Sequence, residues 1–80
     1  MKQTRHNHIL KALGKRLRVL RLKSNLSQEE LAWKADLEIS QISRIERGIV
    51  NTSISQLFSI AEALEIPLKE LFDFELLSSE

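Results

Sequence analysis

Residues 26–48 read Leu26-Ser-Gln-Glu-Glu-Leu-Ala-Trp-Lys-Ala-Asp-Leu-Glu-Ile-Ser-Gln-Ile-Ser-Arg-Ile-Glu-Arg-Gly48, and this stretch decides the fold. Ser27 followed by Glu30 forms the Ser-x-x-Glu pattern of a capping box, which begins a helix. Gly48 is typical of the left-handed residue that ends one. The pattern predicts two short helices, one capped by Ser27 and ending near Ala35, the other covering residues 39–47.

The turn between these helices is short, so the two helices must approach closely at a steep angle. Ala32 offers the small side chain that such an approach needs. Asp36 lies in the turn at a position that favours a left-handed backbone, which Asp tolerates at a cost of about 1 kcal/mol. The positions that a shared core requires to be apolar are Leu31, Ala35, Leu37, Ile42 and Ile45.

The second helix divides into an apolar face and a polar face when its residues are placed 100° apart. Ile42 and Ile45 point to the core side. Arginine can bond guanine bidentately, glutamine can bond adenine, and serine can bond phosphate or a base edge. A solvated polar face would explain these residue types equally well, but together with the complete pattern of the helix pair they predict a helix that reads the major groove of DNA. They are Ser40, Arg44 and Arg47, flanked by Gln41 and Ser43.

Glu46 falls on the inner side of the same helix, where an unpaired carboxylate is costly. A basic side chain should therefore meet it. The first helix offers Arg21, one turn past its stripe of core leucines.

The whole chain of 80 residues predicts an all-α domain of five helices. Leucines at spacings of three and four mark a first helix over residues 8–23. Ser53 with Gln56 predicts a second capping box, and Pro67 can begin a fifth helix over residues 68–72. The apolar face of the fourth helix is predicted to hold Ile54, Leu57, Phe58, Ala61 and Leu64. We divide the chain into a basic, partly helical extension (1–8), a helix-turn-helix domain (9–72) and a tail (73–80).

Charge is distributed unevenly along the chain. Residues 1–47 hold eleven Lys/Arg and five Asp/Glu, a net charge of +6, whereas residues 48–80 carry −5. This polarity favours one surface that faces phosphates and another that faces water or protein. If charge alone is considered, a solvated helix face is the simpler alternative to a surface that faces phosphates.

Several classes of site are disfavoured by composition. The chain has no Cys, which excludes disulfides and thiolate metal sites. No apolar run approaches a membrane span of about 20 residues, and the N-terminus is too polar for a secretory signal. His6 and His8 do not share a helix face and lack a third ligand. We expect no metal, cofactor, small-molecule effector or catalytic site, and a cytoplasmic, nucleoid-associated protein.

Several motifs resemble the XRE, or Cro/phage-repressor-like, helix-turn-helix family, and together they cover residues 13–72. They are Gly14-Lys-Arg-Leu-Arg-Val-Leu-Arg21, Leu26-Ser-Gln-Glu-Glu-Leu-Ala32, Ile42-Ser-Arg-Ile-Glu-Arg-Gly48, Asn51-Thr-Ser-Ile54 and Ile60-Ala-Glu-Ala-Leu-Glu-Ile-Pro-Leu-Lys-Glu-Leu-Phe72. The resemblance implies a compact five-helix bundle whose third helix enters the major groove while the second crosses the backbone.

The resemblance also implies roles for individual residues. Gln28 matches a glutamine that holds a phosphate and braces the third helix, while Arg21 and Glu46 match a family ion pair. Ser40 and Arg44 match base-reading positions. The residues expected to contact DNA are Ser27, Gln28, Ile39, Ser40, Gln41, Ser43, Arg44, Arg47 and Asn51.

Three positions depart from the family pattern. Ile39 stands where a polar base-reading residue is common; we favour packing on the core, and contact with a thymine methyl is the alternative. Glu38 replaces the usual Ser or Thr cap, and Thr52 replaces a frequent Pro. These departures make the operator sequence unpredictable from relatives.

Trp33 and the apolar tail each allow two interpretations. Trp33 is expected to cover the junction of the first two helices, with contact to the DNA backbone as the alternative. The tail carries more apolar surface than a small monomer needs, which favours a homodimer. Folding back over the monomer core is the other explanation. The candidate dimer contacts are Leu71, Phe72, Phe74, Leu76 and Leu77.

The sequence thus predicts a regulator of transcription that binds double-stranded DNA as a homodimer on a pseudo-palindromic operator. Controller proteins of restriction–modification systems share this size, as do Cro-like and other small repressors. The alternative is an antitoxin-type interaction module with the same fold, which holds a partner protein and also binds its own operator.

Overall fold

A computed structural model describes residues 7–76. These residues form four α-helices: α1 (Asn7–Lys23), α2 (Gln28–Ala35), α3 (Ile39–Arg47) and α4 (Ile54–Leu64). The predicted all-α class is confirmed. The predicted fifth α-helix is wrong in type, because Leu68–Phe72 form a 3₁₀ helix that follows Pro67. Five residues make only a short turn, and short pieces commonly adopt the tighter 3₁₀ geometry.

The helix ends follow the capping chemistry of the sequence. The Ser27 side chain accepts a hydrogen bond from the Glu30 N–H at 3.0 Å, and the Glu30 carboxylate accepts one from the Ser27 N–H at 2.8 Å. The first predicted capping box is therefore complete. The second is only half formed: Ser53 accepts from the Gln56 N–H, but the Gln56 oxygen bonds the Thr52 hydroxyl instead.

Left-handed residues end the three helices that follow α1. Asp36 has φ 59°, as its place in the turn predicted, and Gly48 has φ 71°. Glu65 has φ 60° and ends α4, although its side chain disfavours this region. In each case the backbone N–H bonds carbonyls of the preceding turn, which satisfies groups that the helix end would otherwise leave unpaired.

The core lies where α1 and α2 pack against α3, with α4 against α2 and the 3₁₀ helix against α1 and α4. Its fully buried side chains are Leu17, Leu31, Ile42, Ile60 and Leu71. The predicted face of α4 is partly wrong, because Ile54 is 64% exposed and Phe58 is 51% exposed. The apolar stripe of α4 is wider than the surface that the other elements cover.

α1 contacts the C-terminal end of α3 through Gly14. A Cβ on Gly14 would lie 2.4 Å from the carbonyl oxygen of Glu46 and 2.5 Å from that of Ile45. Only a residue without a side chain permits this approach. The contact fixes the position of α3, and no pattern in the sequence indicates it.

Arg16 joins α1 to the 3₁₀ helix. Its Nε donates to the Glu70 carbonyl oxygen at 2.9 Å, and its Nη2 donates to the Glu70 carboxylate at 3.0 Å. Among residues 7–76, no helix combines the length and hydrophobicity needed to cross a bilayer.

Candidate nucleic-acid interface

The outer face of α3 is polar and accessible. Ser40, Arg44 and Arg47 are exposed, whereas Ile42 and Ile45 are buried, which matches the division expected from the helical wheel. Gln41 and Ser43 are half-buried at the flanks. Two arginines, a serine and a glutamine are thus available together on one helix, and this is the chemistry that base edges and phosphates accept.

Ile39 is the first residue of α3, and its side chain is 48% exposed. The favoured expectation that Ile39 packs on the core is therefore wrong. About half of the Ile39 side chain is therefore open to solvent. Ile39 offers an apolar surface at the same end of the helix as Ser40, which keeps the thymine-methyl alternative available.

Arg21 and Glu46 form a buried, bidentate ion pair between α1 and α3. Arg21 Nε donates to Glu46 Oε2 at 2.6 Å, and Nη2 donates to Oε1 at 3.0 Å. The two side chains are only 7% and 3% exposed. Arg21 Nη1 also donates to the Leu26 carbonyl oxygen at 2.9 Å, so the guanidinium joins α1 to two other segments, α3 and the loop before α2.

The hydrogen bond with Glu46 is the main reason that the pKa of Arg21 is raised, against the opposing effect of burial. Arg21 is therefore permanently charged, as a buried pair with a carboxylate requires. This is the pairing that the inner position of Glu46 predicted.

Gln28 extends this pair to the start of α2. Its Nε2 donates to Glu46 Oε1 at 3.0 Å, across 18 residues of sequence. The first turn of α2 and the last turn of α3 are thereby held at a set distance. The resemblance implies such a brace for Gln28, and its second assigned role, contact with a phosphate, stays a prediction.

Gln41 caps its own helix. Its Oε1 accepts a hydrogen bond from the Glu38 N–H at 2.8 Å. A backbone N–H can only donate, so the amide oxygen must face it and the Nε2 amino group points elsewhere. In this conformation the amide oxygen of Gln41 is engaged at the start of its own helix, and the amino group is left to donate elsewhere.

Two further basic groups lie at the C-terminal end of α3. Arg47 Nε is 3.4 Å from the Ser43 carbonyl oxygen, and Lys11 Nζ is 3.4 Å from the Arg47 carbonyl oxygen. These long bonds involve exposed side chains, which a stronger acceptor such as a phosphate can redirect. Asn51 and Ser27 are also exposed, in the α3–α4 loop and at the start of α2.

Trp33 is 84% exposed on α2. The expectation that it covers the junction of α1 and α2 is therefore wrong. It borders a shallow groove with Leu26, Glu29, Glu30 and Lys34. On an eight-residue helix Trp33 lies about 140° from Gln28, which turns it away from the residue expected to hold a phosphate. The structure thus gives no support to contact between Trp33 and the DNA backbone.

The candidate dimer residues separate into two groups. Leu71 is fully buried and Phe74 packs against the core of the same protomer, so the expectation that Leu71 contacts a partner is wrong. Phe72 and Leu76 are partly exposed. Leu77 lies outside the described residues, as does His6. Among residues 7–76 there is no group of three or more His, Asp or Glu side chains placed to hold a metal ion.

Comparison with known proteins matches this architecture to one family. The model of the helix-turn-helix family HTH_3 matches residues 17–71. Control protein C.BamHI from Bacillus amyloliquefaciens is 45% identical over 69 residues, covering 85% of each protein. Control protein C.MunI from a Mycoplasma species is 42% identical over 67 residues, covering 82% of this chain and 90% of the relative.

A solved structure gives the same result. The crystal structure of the restriction–modification controller protein C.AhdI from Aeromonas hydrophila superposes with a TM-score of 0.78 at 43% sequence identity. The match covers 79% of this chain and 96% of that protein. These relatives are named as control or controller proteins, not as enzymes.

Proposed function

Because this chain belongs to the helix-turn-helix family HTH_3 and is a transcriptional regulator with a DNA-binding domain of that family, we propose that it binds a pseudo-palindromic operator as a homodimer. The observation that carries the proposal is the outer face of α3, where Ser40, Arg44 and Arg47 are exposed together. The buried bonds of Glu46 to Arg21 and Gln28 hold that face in place before DNA arrives.

The division of labour follows from the chemistry of each group. Ser40 and Arg44 read base edges, and Ile39 contacts a thymine methyl. Gln28, Ser27, Ser43, Arg47 and Asn51 position the protein on the backbone, together with the exposed lysines of α1. The positive charges also make the affinity depend steeply on salt, because each neutralised phosphate releases counterions.

The direct test is selection of bound duplexes from a random pool at a stated salt concentration, which reports both the site and its symmetry. Arg44→Ala should then weaken binding to the selected site by about 1–3 kcal/mol and relax preference at one base pair. Arg18→Ala, which removes an exposed arginine outside α3, is the matched control and should leave the ratio of specific to random binding unchanged. Equal losses on both DNAs for Arg44→Ala would contradict base reading.

The homodimer needs a self-complementary surface, and α4 supplies a candidate. Residues 48–61 contain no charged side chain, while Ile54 and Phe58 are exposed one turn apart on the same face. A twofold axis brings a residue near its own copy, so an uncharged patch avoids like-charge repulsion. We place the dimer contact on Ile54 and Phe58, with Phe72 of the adjacent 3₁₀ helix. Two α3 helices would then lie about 34 Å apart on successive major grooves.

Sedimentation equilibrium of two matched variants tests this surface. Phe58→Asp should convert the dimer to a monomer because it places a carboxylate near its copy. Leu22→Asp introduces the same charge on α1 at the same 51% exposure and should leave the dimer intact. If only removal of residues 73–80 produced monomers, the contact would lie in the tail instead.

The similarity to C.BamHI, C.MunI and C.AhdI supports a narrower biological role. We propose that this protein controls transcription of a restriction–modification operon. Binding of the protein to the DNA upstream of its own gene, with genes for a methyltransferase and an endonuclease adjacent, is the expected result. A selected operator that is absent from such a region would overturn this assignment while leaving DNA binding intact.

A further inference from the structure

Glu38 places a carboxylate at the start of α3, the helix proposed to enter the major groove. It is the N-cap residue of that helix, with an extended backbone at φ −81° and ψ 149°. Ile39 and Ser40 follow it directly, and all three side chains are exposed. The first residues of a helix in this position are the ones that meet base edges. Glu38 therefore needs an explanation that its neighbours do not supply.

The backbone of Glu38 is held from both sides. Its N–H donates to Gln41 Oε1 at 2.8 Å, and its carbonyl oxygen accepts the N–H groups of Gln41 and Ile42 at 3.0 and 3.3 Å. These bonds satisfy the first turn of α3 largely without the side chain. A carboxylate has two oxygens, so at least one acceptor stays available to a group outside the protein. Because the backbone is fixed, the starting direction of the side chain is fixed as well.

The ion pairs of the protein leave the Glu38 carboxylate without a cation. Among residues 7–76, the arginines that pair with carboxylates are Arg16 and Arg21, and both pair with other acids. An uncompensated negative charge is repelled by the phosphates of DNA. Glu38 is therefore unfavourable against the backbone of a duplex, and it is favourable only where the duplex offers an N–H donor.

The base edges of the major groove differ in how well they fit a carboxylate, which can only accept hydrogen bonds. Guanine and the carbonyl of thymine present acceptors, so they repel it. Adenine presents its N6 amino group beside the N7 acceptor, which repels the second carboxylate oxygen. Cytosine presents the N4 amino group without an acceptor of its own beside it. Cytosine is thus the base that matches an acceptor at this position.

We propose that Glu38 reads a cytosine in each half of the operator by accepting a hydrogen bond from the N4 amino group. The inference rests on the proposed DNA binding and adds an acidic reader to Ser40 and Arg44. Its charge also works against the wrong bases, because guanine or thymine at the same position places an acceptor opposite the carboxylate.

Two substitutions of Glu38 separate base reading from general repulsion. Glu38→Ala removes the acceptor, whereas Glu38→Gln keeps the size of the side chain and can bond N6 and N7 of adenine. Asp36→Asn is the matched control, since it removes an exposed carboxylate two residues away. Asn tolerates the left-handed backbone of that position as Asp does. Thermal melting checks that each variant is folded, and Glu38→Gln alone decides the question if the alanine variant is not.

Each protein is taken through selection from random duplexes at the same salt concentration. The wild type should select cytosine at one position per half-site, and Glu38→Ala should weaken that preference roughly tenfold. Glu38→Gln should favour adenine there, and Asp36→Asn should keep every preference of the wild type. If the Glu38 and Asp36 variants all raise affinity for every duplex alike and leave the base frequencies unchanged, the carboxylate only repels phosphates and the proposal is wrong.

A base analogue identifies the atom that is read. Pyrimidin-2-one is cytosine without its amino group, and placing it at the selected position should weaken the wild type roughly tenfold while it changes Glu38→Ala little. Equal losses for the two proteins would overturn the contact with N4. A wild type that selects an operator but shows no cytosine preference that depends on Glu38 would contradict only this inference. A wild type that selects no duplex would instead contradict the proposed function itself.

Discussion

Replacement of Gly14 by alanine sets two known effects against each other. Gly14 lies within α1, where alanine favours a helix over glycine by about 1 kcal/mol. On helix propensity alone the variant should be more stable. The contact with α3 opposes this, because the new Cβ would lie 2.4 Å from the Glu46 carbonyl oxygen.

The size of the clash decides whether Gly14→Ala is more stable or less stable than the wild type. Ordinary contact begins near 3.4 Å, so α1 and α3 would have to separate by roughly 1 Å, and forced repacking of this kind typically costs about 1–3 kcal/mol. The separation also strains the bond between Arg21 Nε and Glu46 Oε2, which is 2.6 Å long. We expect Gly14→Ala to lower the free energy of unfolding by about 1 kcal/mol after the gain in propensity.

Urea denaturation followed by circular dichroism measures this difference. Lys15 occupies the adjacent exposed position of α1. The difference in stability between Lys15→Ala and Lys15→Gly measures how much alanine is favoured over glycine in the same helix. Operator affinity should fall with stability, since the shift moves the end of α3. A Gly14→Ala protein that gains stability by the same amount that separates the Lys15 pair would refute the close-contact argument.

Two further predictions concern stability. Arg21→Ala should destabilise the fold by about 3–5 kcal/mol because it leaves Glu46 buried without its cation. The double variant Arg21→Ala/Glu46→Met should lose less stability than the sum of the two single variants. Additive losses in urea denaturation would mean that the two side chains are not coupled. Since the pKa of Arg21 is raised on folding, mainly by its hydrogen bond with Glu46, its contribution is present at neutral pH and is lost as the pH rises into strong alkali. Glu65→Gly should raise the melting temperature, because it relieves up to about 1 kcal/mol of left-handed strain, whereas Glu62→Gly within α4 should lower it.

Local chemistry accounts for most of what the sequence predicts correctly. Ser27 with Glu30, Asp36 and Gly48 mark helix ends through bonds to neighbours within five residues, so their roles are readable without the fold. The inward direction of Glu46 follows from helix periodicity, and a buried carboxylate then demands a cation. Arg21 is one of few candidates that a helix packed nearby could supply.

The errors about burial share one cause, which is that periodicity shows which residues share a face but not what stands opposite. Trp33 and Phe58 lie on apolar or amphipathic faces that no other element covers. Half of the Ile39 side chain is likewise left uncovered, and Gly14 matters only because α3 ends against it. The orientation of the Gln41 amide follows from its hydrogen bond with the Glu38 N–H, and the sequence analysis did not use that bond.

The bonds that join Arg21, Gln28 and Glu46 have a mechanical consequence for complex formation. They make the paired helices α2 and α3 a stiff body that arrives already shaped, so little conformational entropy of the backbone is lost on contact. Whatever mismatch exists between this body and straight B-form DNA must then be absorbed by the duplex. Operators should consequently be ranked by the bending and twisting energy of base pairs that no side chain touches, as well as by the bases opposite Ser40 and Arg44.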